Sequence, residues 1–275
     1  MKAFLSLLCM ALLAGCTSTS LSIASLQAPF FTPESIPTPL PLKAQHRHLN
    51  ATEPLWIVIE GDGHAWKSAS IPSSNPTPHD PVGWRLATSI HADNVLYLAR
   101  PCQYLNEIEL KACSVSDWTD GRFAQKWVVM MNEAISNIKA RYSYSEIILV
   151  GYSGGGTMAA LLAIRRNDVS LLISVASPLD VSAWSAYHHV SPLVLSLDPR
   201  DEHAKLSTIA QIHIVGQKDR VVPPLLAQEF VAGYVSSKKA RIIEVEADHT
   251  MHLPLDLVEI RRSFLNSIDA QDNPL

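Results

Sequence analysis

Six short apolar runs punctuate the chain: Leu55–Ile59, Asn94–Ala99, Glu146–Val150, Ser170–Ala176, Ile209–Val215 and Arg241–Val245. Most are continuous rather than alternating and rich in β-branched residues, as expected of strands buried on both faces of a parallel sheet. Segments with helical spacing lie between them. Asp80–Pro81 opens one, with Asp80 as the expected N-cap, Pro81 at the first helical position, and Trp84, Leu86, Ala87 and Ile90 following. Asp120–Tyr142 carries Phe123, Trp127, Met130, Met131, Ala134 and Ile138 on one stripe. A third helix follows Met158, and a closing one is expected near Leu255–Ile268. Strands that alternate with helices predict an α/β fold with a mostly parallel central sheet and helices on both faces.

The pattern weakens at the N-terminal end and in one internal stretch. Thr17 to Pro41 is rich in Ser, Thr and Pro and has no apolar period, so residues 16–44 are expected to form a tether and 45–275 the folded domain. Gln45–Asn50 is expected to be a short edge strand, with His46 and His48 on one face. Ile71–Pro81 is proline-rich and irregular. Residues 177–208 form an excursion in which Trp184 and Tyr187 are candidate pocket walls or covers for the core edge.

The run Glu146–Val150 ends in Gly151–Tyr152–Ser153–Gly154–Gly155, which is Gly-x-Ser-x-Gly between a strand and a small-residue helix. A turn this tight needs tiny residues two before and two after the serine. It also strains the serine and projects its hydroxyl above the sheet. Gly154 then offers its backbone N–H to an oxyanion. Here the chain resembles the α/β-hydrolase family, from Leu55 to the C-terminus. The resemblance implies an α/β-hydrolase fold, with N-terminal antiparallel strands that look abbreviated in this chain. It also implies an order of nucleophile, acid and base that Ser153, Asp219 and His249 match. Asp219 sits in Gly216–Gln217–Lys218–Asp219–Arg220–Val221–Val222–Pro223, close to the family's acid-bearing loop. His249 follows the last strand, with His252 as its rival; Asp198 and Asp201 lie too early to be the acid, and His213 falls mid-strand. The loop Glu60–Gly61–Asp62–Gly63–His64 follows an early strand, where the family supplies a second oxyanion N–H. Asp62 or Gly63 is the expected donor, through the main chain. This loop departs from the His-Gly-Gly-Gly of many lipases.

Each of these residue types has a chemical reason. A serine hydroxyl is a weak nucleophile until a base takes its proton. Imidazole titrates near neutral pH and can return that proton to a leaving group. A buried carboxylate fixes the imidazole tautomer and stabilises its cation. The expected activity is cleavage of a small-molecule carboxylic ester through an acyl-enzyme, with no metal or organic cofactor. The alternatives are an amidase or peptidase with the same triad, a silent hydrolase fold that binds envelope components, and a metal-binding protein using His46, His48 and His64.

Length and charge narrow the picture. A chain of 275 residues supports one large α/β domain. Its net charge of -4 and lack of a basic run argue against a nucleic-acid partner. Nothing in the sequence specifies an oligomeric state. Lys2 precedes an apolar run from Ala3 to Ala14, too short to span a bilayer, so residues 1–15 read as a signal peptide. The run ends Leu13–Ala14–Gly15–Cys16, which resembles the bacterial lipobox and implies lipidation of Cys16 and membrane attachment. Thr17 rather than Asp follows, which by that resemblance favours the outer over the inner membrane. The domain would then face the periplasm or the cell surface. Cys102 and Cys113 remain after cleavage and are expected to form a disulfide.

Overall fold

The computed structural model describes residues 22–235 and 239–272. The expected signal peptide 1–15 and Cys16 therefore lie outside the described residues. In chain order the strands and helices are β1 (Thr32–Ile36), β2 (Leu42–His48), β3 (Leu55–Ile59), β4 (Trp66–Ser68), β5 (Ile71–Pro72), α1 (Val82–Ser89), β6 (Asn94–Leu98), α2 (Glu107–Leu110), α3 (Gln125–Tyr142), β7 (Ile147–Tyr152), α4 (Gly154–Ile164), β8 (Val169–Val175), α5 (Val181–Tyr187), α6 (His203–Leu206), β9 (Gln211–Gly216), α7 (Pro224–Tyr234), β10 (Ala240–Val245) and α8 (Leu257–Asp272). Short 3-10 turns cover Ile23–Ser25, Val115–Trp118 and Pro199–Glu202.

Eight strands form one sheet in the order β1-β2-β6-β3-β7-β8-β9-β10. Pairings from β6 to β10 are parallel, whereas β1 with β2 and β2 with β6 are antiparallel. The continuous apolar runs follow from this layout, because the sheet is covered on both sides. In β3, Leu55, Ile57 and Ile59 join a core with α3, α4 and Phe230 of α7. Trp56 and Val58 face the opposite way, into a core with α1 and α8. The chain passes from β3 to β6 on one side and then back across β3 to β7. Such a reversal leaves a crevice at the carboxyl ends of the strands, where ligands bind in open α/β sheets.

Four expectations need correction. The tether was expected to run through residue 44, but Thr32–Ile36 and Leu42–His48 are strands of the sheet. Of β1 only Ile36 is buried, and Pro33 fits an edge position, so the strand carries little apolar signal. β2 is consequently an interior strand, not an edge. Its His46 and His48 both hydrogen-bond the Tyr144 hydroxyl, and His46 also pairs with Glu34 of β1. The helix expected from Asp120 begins at Gln125, after the 3-10 turn and Gly121. Finally, Pro81 is the N-cap of α1 and Asp80 makes no capping bond there. The cap comes from far away: the Glu60 carboxylate accepts from the N–H groups of Gly83 (3.1 Å) and Trp84 (3.3 Å).

Candidate active site

Ser153 sits between β7 and α4 with φ 50° and ψ -126°, a strained conformation for a residue with a side chain. The strain is imposed by close approach on both sides. A Cβ at Gly151 would lie 2.3 Å from the Gly155 carbonyl oxygen, and one at Gly155 would lie 2.3 Å from that of Ile59. Only glycine fits at either position. The Ser153 N–H donates to Val175 O (2.8 Å), and its carbonyl accepts from Gly156 N (2.9 Å).

The three residues that are far apart in sequence converge here. His249 Nε2 lies 3.1 Å from Ser153 Oγ, and His249 Nδ1 lies 2.8 Å from Asp219 Oδ2. A neutral imidazole protonated at Nδ1 satisfies both bonds, donating to the carboxylate and accepting from the hydroxyl. Asp219 has a fully buried side chain, and its Oδ1 accepts from Val221 N and Val222 N, each at 2.8 Å. Its orientation is thus fixed by the loop that carries it. The Tyr152 hydroxyl donates to the His249 carbonyl at 2.9 Å, and burial raises the phenol's pKa, which keeps it a donor.

The rival positions are engaged elsewhere. His252 is exposed and pairs with Asp80. Asp198 accepts from the Ser182 N–H and hydroxyl, and Asp201 pairs with Arg200. Asp180 caps α5 through Ala183 N. His213 is buried in β9 against Ser174. His64 stacks on His79 at 4.3 Å, and among the described residues no three metal-ligating side chains gather.

The loop Glu60–His64, the candidate oxyanion loop, is held from several sides. Glu60 accepts from Gly61 N (2.8 Å) and from the Tyr97 hydroxyl (3.0 Å) as well as capping α1. Burial raises the Glu60 pKa, and these four hydrogen bonds oppose that shift. Gln103 Nε2 donates to Gly61 O at 2.9 Å. Gly63 takes φ +65°, and a Cβ there would meet the Pro76 carbonyl at 2.1 Å. The Asp62 carboxylate lies against Gly154 and is bound by two guanidiniums, Arg100 at 3.2 Å and Arg122 at 2.6 Å. Among the described residues the N–H groups of Asp62, Gly63 and Gly154 have no protein acceptor. Gly154 also opens α4, so its N–H is one of the free donors of a helix start.

A cleft of about 500 Å³ opens at this edge, with Ser153 and His249 in its lining. Phe123, Val181, Trp184, Leu193 and Val221 give it an apolar wall. Trp184 lines the cleft as a pocket wall; exposed Tyr187 does not. Trp184 also has a second task that its sequence did not signal. Its Nε1 donates to Val221 O at 2.8 Å, and His188 Nε2 lies 2.7 Å from the same carbonyl. Helix α5 therefore braces the loop that presents Asp219.

Cys102 and Cys113 form a disulfide with a Cα–Cα distance of 6.2 Å. It closes the loop that begins after β6 and contains α2. Gln103 and Tyr104, the next two residues, reach the oxyanion loop through Gly61 O and the Tyr97–Glu60 pair.

The sequence matches no established family profile and no curated protein sequence. Solved structures do match. A lidless α/β serine hydrolase from Xanthomonas campestris is 14% identical, with 90% of this chain and 98% of that chain covered and a TM-score of 0.52. Est1E from Butyrivibrio proteoclasticus is 16% identical, covers 86% and 99%, and gives 0.57. An esterase from Pyrococcus furiosus is 12% identical, covers 88% and 91%, and gives 0.59. With likeness spanning nearly the whole of each chain, and the parallel sheet and elbow described above, this protein has the α/β-hydrolase fold.

Proposed function

We propose that this protein is a serine hydrolase that cleaves carboxylic esters. The observation that carries the reading is the hydrogen-bond chain Ser153–His249–Asp219, whose first two members line a cleft with an apolar wall. In the first half-reaction Ser153 Oγ attacks the ester carbonyl while His249 Nε2 takes its proton. The carbonyl oxygen gains negative charge and is met by Gly154 N–H and by Asp62 or Gly63 N–H. Collapse breaks the bond to the alkoxide, which leaves as the alcohol with the proton from His249. In the second half a water gives a proton to His249 and attacks the acyl carbonyl; the bond to Ser153 Oγ then breaks, the serine takes that proton back from His249, and the acid leaves. Asp219 stays ionised throughout and holds the imidazolium.

Hydrolysis of p-nitrophenyl esters of increasing acyl length tests this reading. Turnover that is lost in Ser153→Ala supports it and sizes the acyl pocket. Turnover of anilides but not of esters would move the protein to the amidases. The protein is also proposed to be lipid-anchored through Cys16 in the cell envelope, as the lipobox resemblance implies. Cys16→Ser is expected to move it from the membrane to the soluble fraction.

A further inference from the structure

The acyl-transfer scheme makes no use of Arg122, a cation in the lining of the cleft. Arg122 precedes α3 and its side chain is only 12% exposed. Nη1 donates to Asp62 Oδ2, while Nε is buried without an acceptor among the described residues. Nη2 has no protein acceptor among the described residues and is not wholly buried. The guanidinium carbon lies 5.8 Å from the ring centroids of both Phe123 and Trp184, two walls of the cleft.

Arg122 has only a share of the carboxylate beside it. One carboxylate, Asp62, faces two guanidiniums, and Arg100 spends its remaining Nη2 on the Arg122 carbonyl. Of the other acids around the cleft, Asp117 pairs with Lys126 and Asp80 with Arg85 and His252, while Glu60 is held by four neutral donors and acts at a distance on Arg100. A guanidinium near two aromatic rings in a partly desolvated cleft, sharing one carboxylate with a second arginine, gains from a further anion. Its remaining nitrogen, Nη2, can donate a charge-assisted hydrogen bond to a carboxylate.

We propose that the natural substrate is an ester that also carries a carboxylate, and that Arg122 binds that carboxylate and so sets specificity. This rests on the serine-esterase reading of the same cleft. The test uses two pairs of esters matched in size and differing in charge. 4-Acetoxybenzoate against 4-acetoxybenzamide places the charge on the alcohol side. The phenyl monoester of adipic acid against phenyl hexanoate places it on the acyl side. In at least one pair the charged member is expected to have a kcat/KM at least tenfold higher, and the preference should shrink as salt is raised. Arg122→Gln should abolish that preference, chiefly through KM, and Arg122→Lys should retain part of it.

Two results overturn the proposal. One is that neither pair favours its charged member. The other is that Arg122→Gln lowers both members of each pair alike, which would confine Arg122 to bracing Asp62. Failure of the underlying esterase reading is distinct: then neither the neutral nor the charged esters would be turned over by Ser153.

Discussion

A Cβ at position 154 would lie 2.0 Å from Asp62 Oδ1. Gly154 is therefore glycine for a reason beyond the tight turn: the space beside it is filled by a carboxylate that two arginines hold in place. Gly154→Ala would push Asp62 out of that ion-paired position and displace the backbone of the oxyanion loop. Turnover of a neutral ester should fall by about 10²-fold or more, as when an oxyanion donor is lost. The elbow should remain folded, with near-native circular dichroism. An alanine variant with the wild-type rate would show that Asp62 can move without disturbing the loop.

Asp219→Asn tests the orientation of the base. Asparagine keeps an oxygen for Val221 N and Val222 N, but its amide cannot hold the Nδ1-protonated tautomer of His249. The rate is expected to fall about 10⁴-fold with little change in fold. A modest loss would mean that another carboxylate serves His249, and Asp248, exposed beside it, is the nearest in sequence.

His213 gives the fold a pH dependence of its own. Burial lowers its pKa from 6.5 to about 4, and its Nε2 has no partner among the described residues. Between these values the unfolded chain binds a proton that the folded one does not, so stability falls as pH drops from 6.5 towards 4. The full penalty, of order 3 kcal/mol, is reached below pH 4. Denaturant titrations across this range should show the loss, and His213→Asn should flatten it. An unchanged slope in the variant would assign the acid sensitivity to other groups.

The disulfide closes a loop of eleven residues' separation, for which chain entropy predicts about 3 kcal/mol of stabilisation. Replacing both Cys102 and Cys113 by serine should lower stability by about that amount. Because Gln103 and Tyr104 follow Cys102 and brace Gly61 and Glu60, activity should become heat-labile at a lower temperature than in the wild type. Equal thermal inactivation of the two forms would show that the loop holds its place without the bond.

The parts of the molecule readable from sequence are those where local chemistry and position coincide. Strands β3, β6, β7 and β8 are largely continuous apolar runs because both faces of the sheet are covered there, while β9 and β10 are apolar runs interrupted by polar residues. Ser153, Asp219 and His249 each follow such a run, so their meeting at one edge was predictable from strand order. What stayed hidden depends on partners remote in sequence. β1 holds its place by pairing with β2 rather than by apolar content, and so it looked like tether. Asp62 was legible as a possible backbone donor, but its side chain finds Arg100 and Arg122, 38 and 60 positions away. Likewise Glu60 caps a helix that starts 22 residues later, and Trp184 braces a carbonyl 37 residues on. No local spacing announces such bonds.

The most direct measurement is labelling of the folded protein with a fluorophosphonate, followed by mass spectrometry of the peptides. The account predicts one adduct, on Ser153, that is absent in Ser153→Ala, strongly slowed in His249→Ala, and abolished by unfolding. Folded protein that stays unlabelled, or that is labelled at another residue, would contradict it.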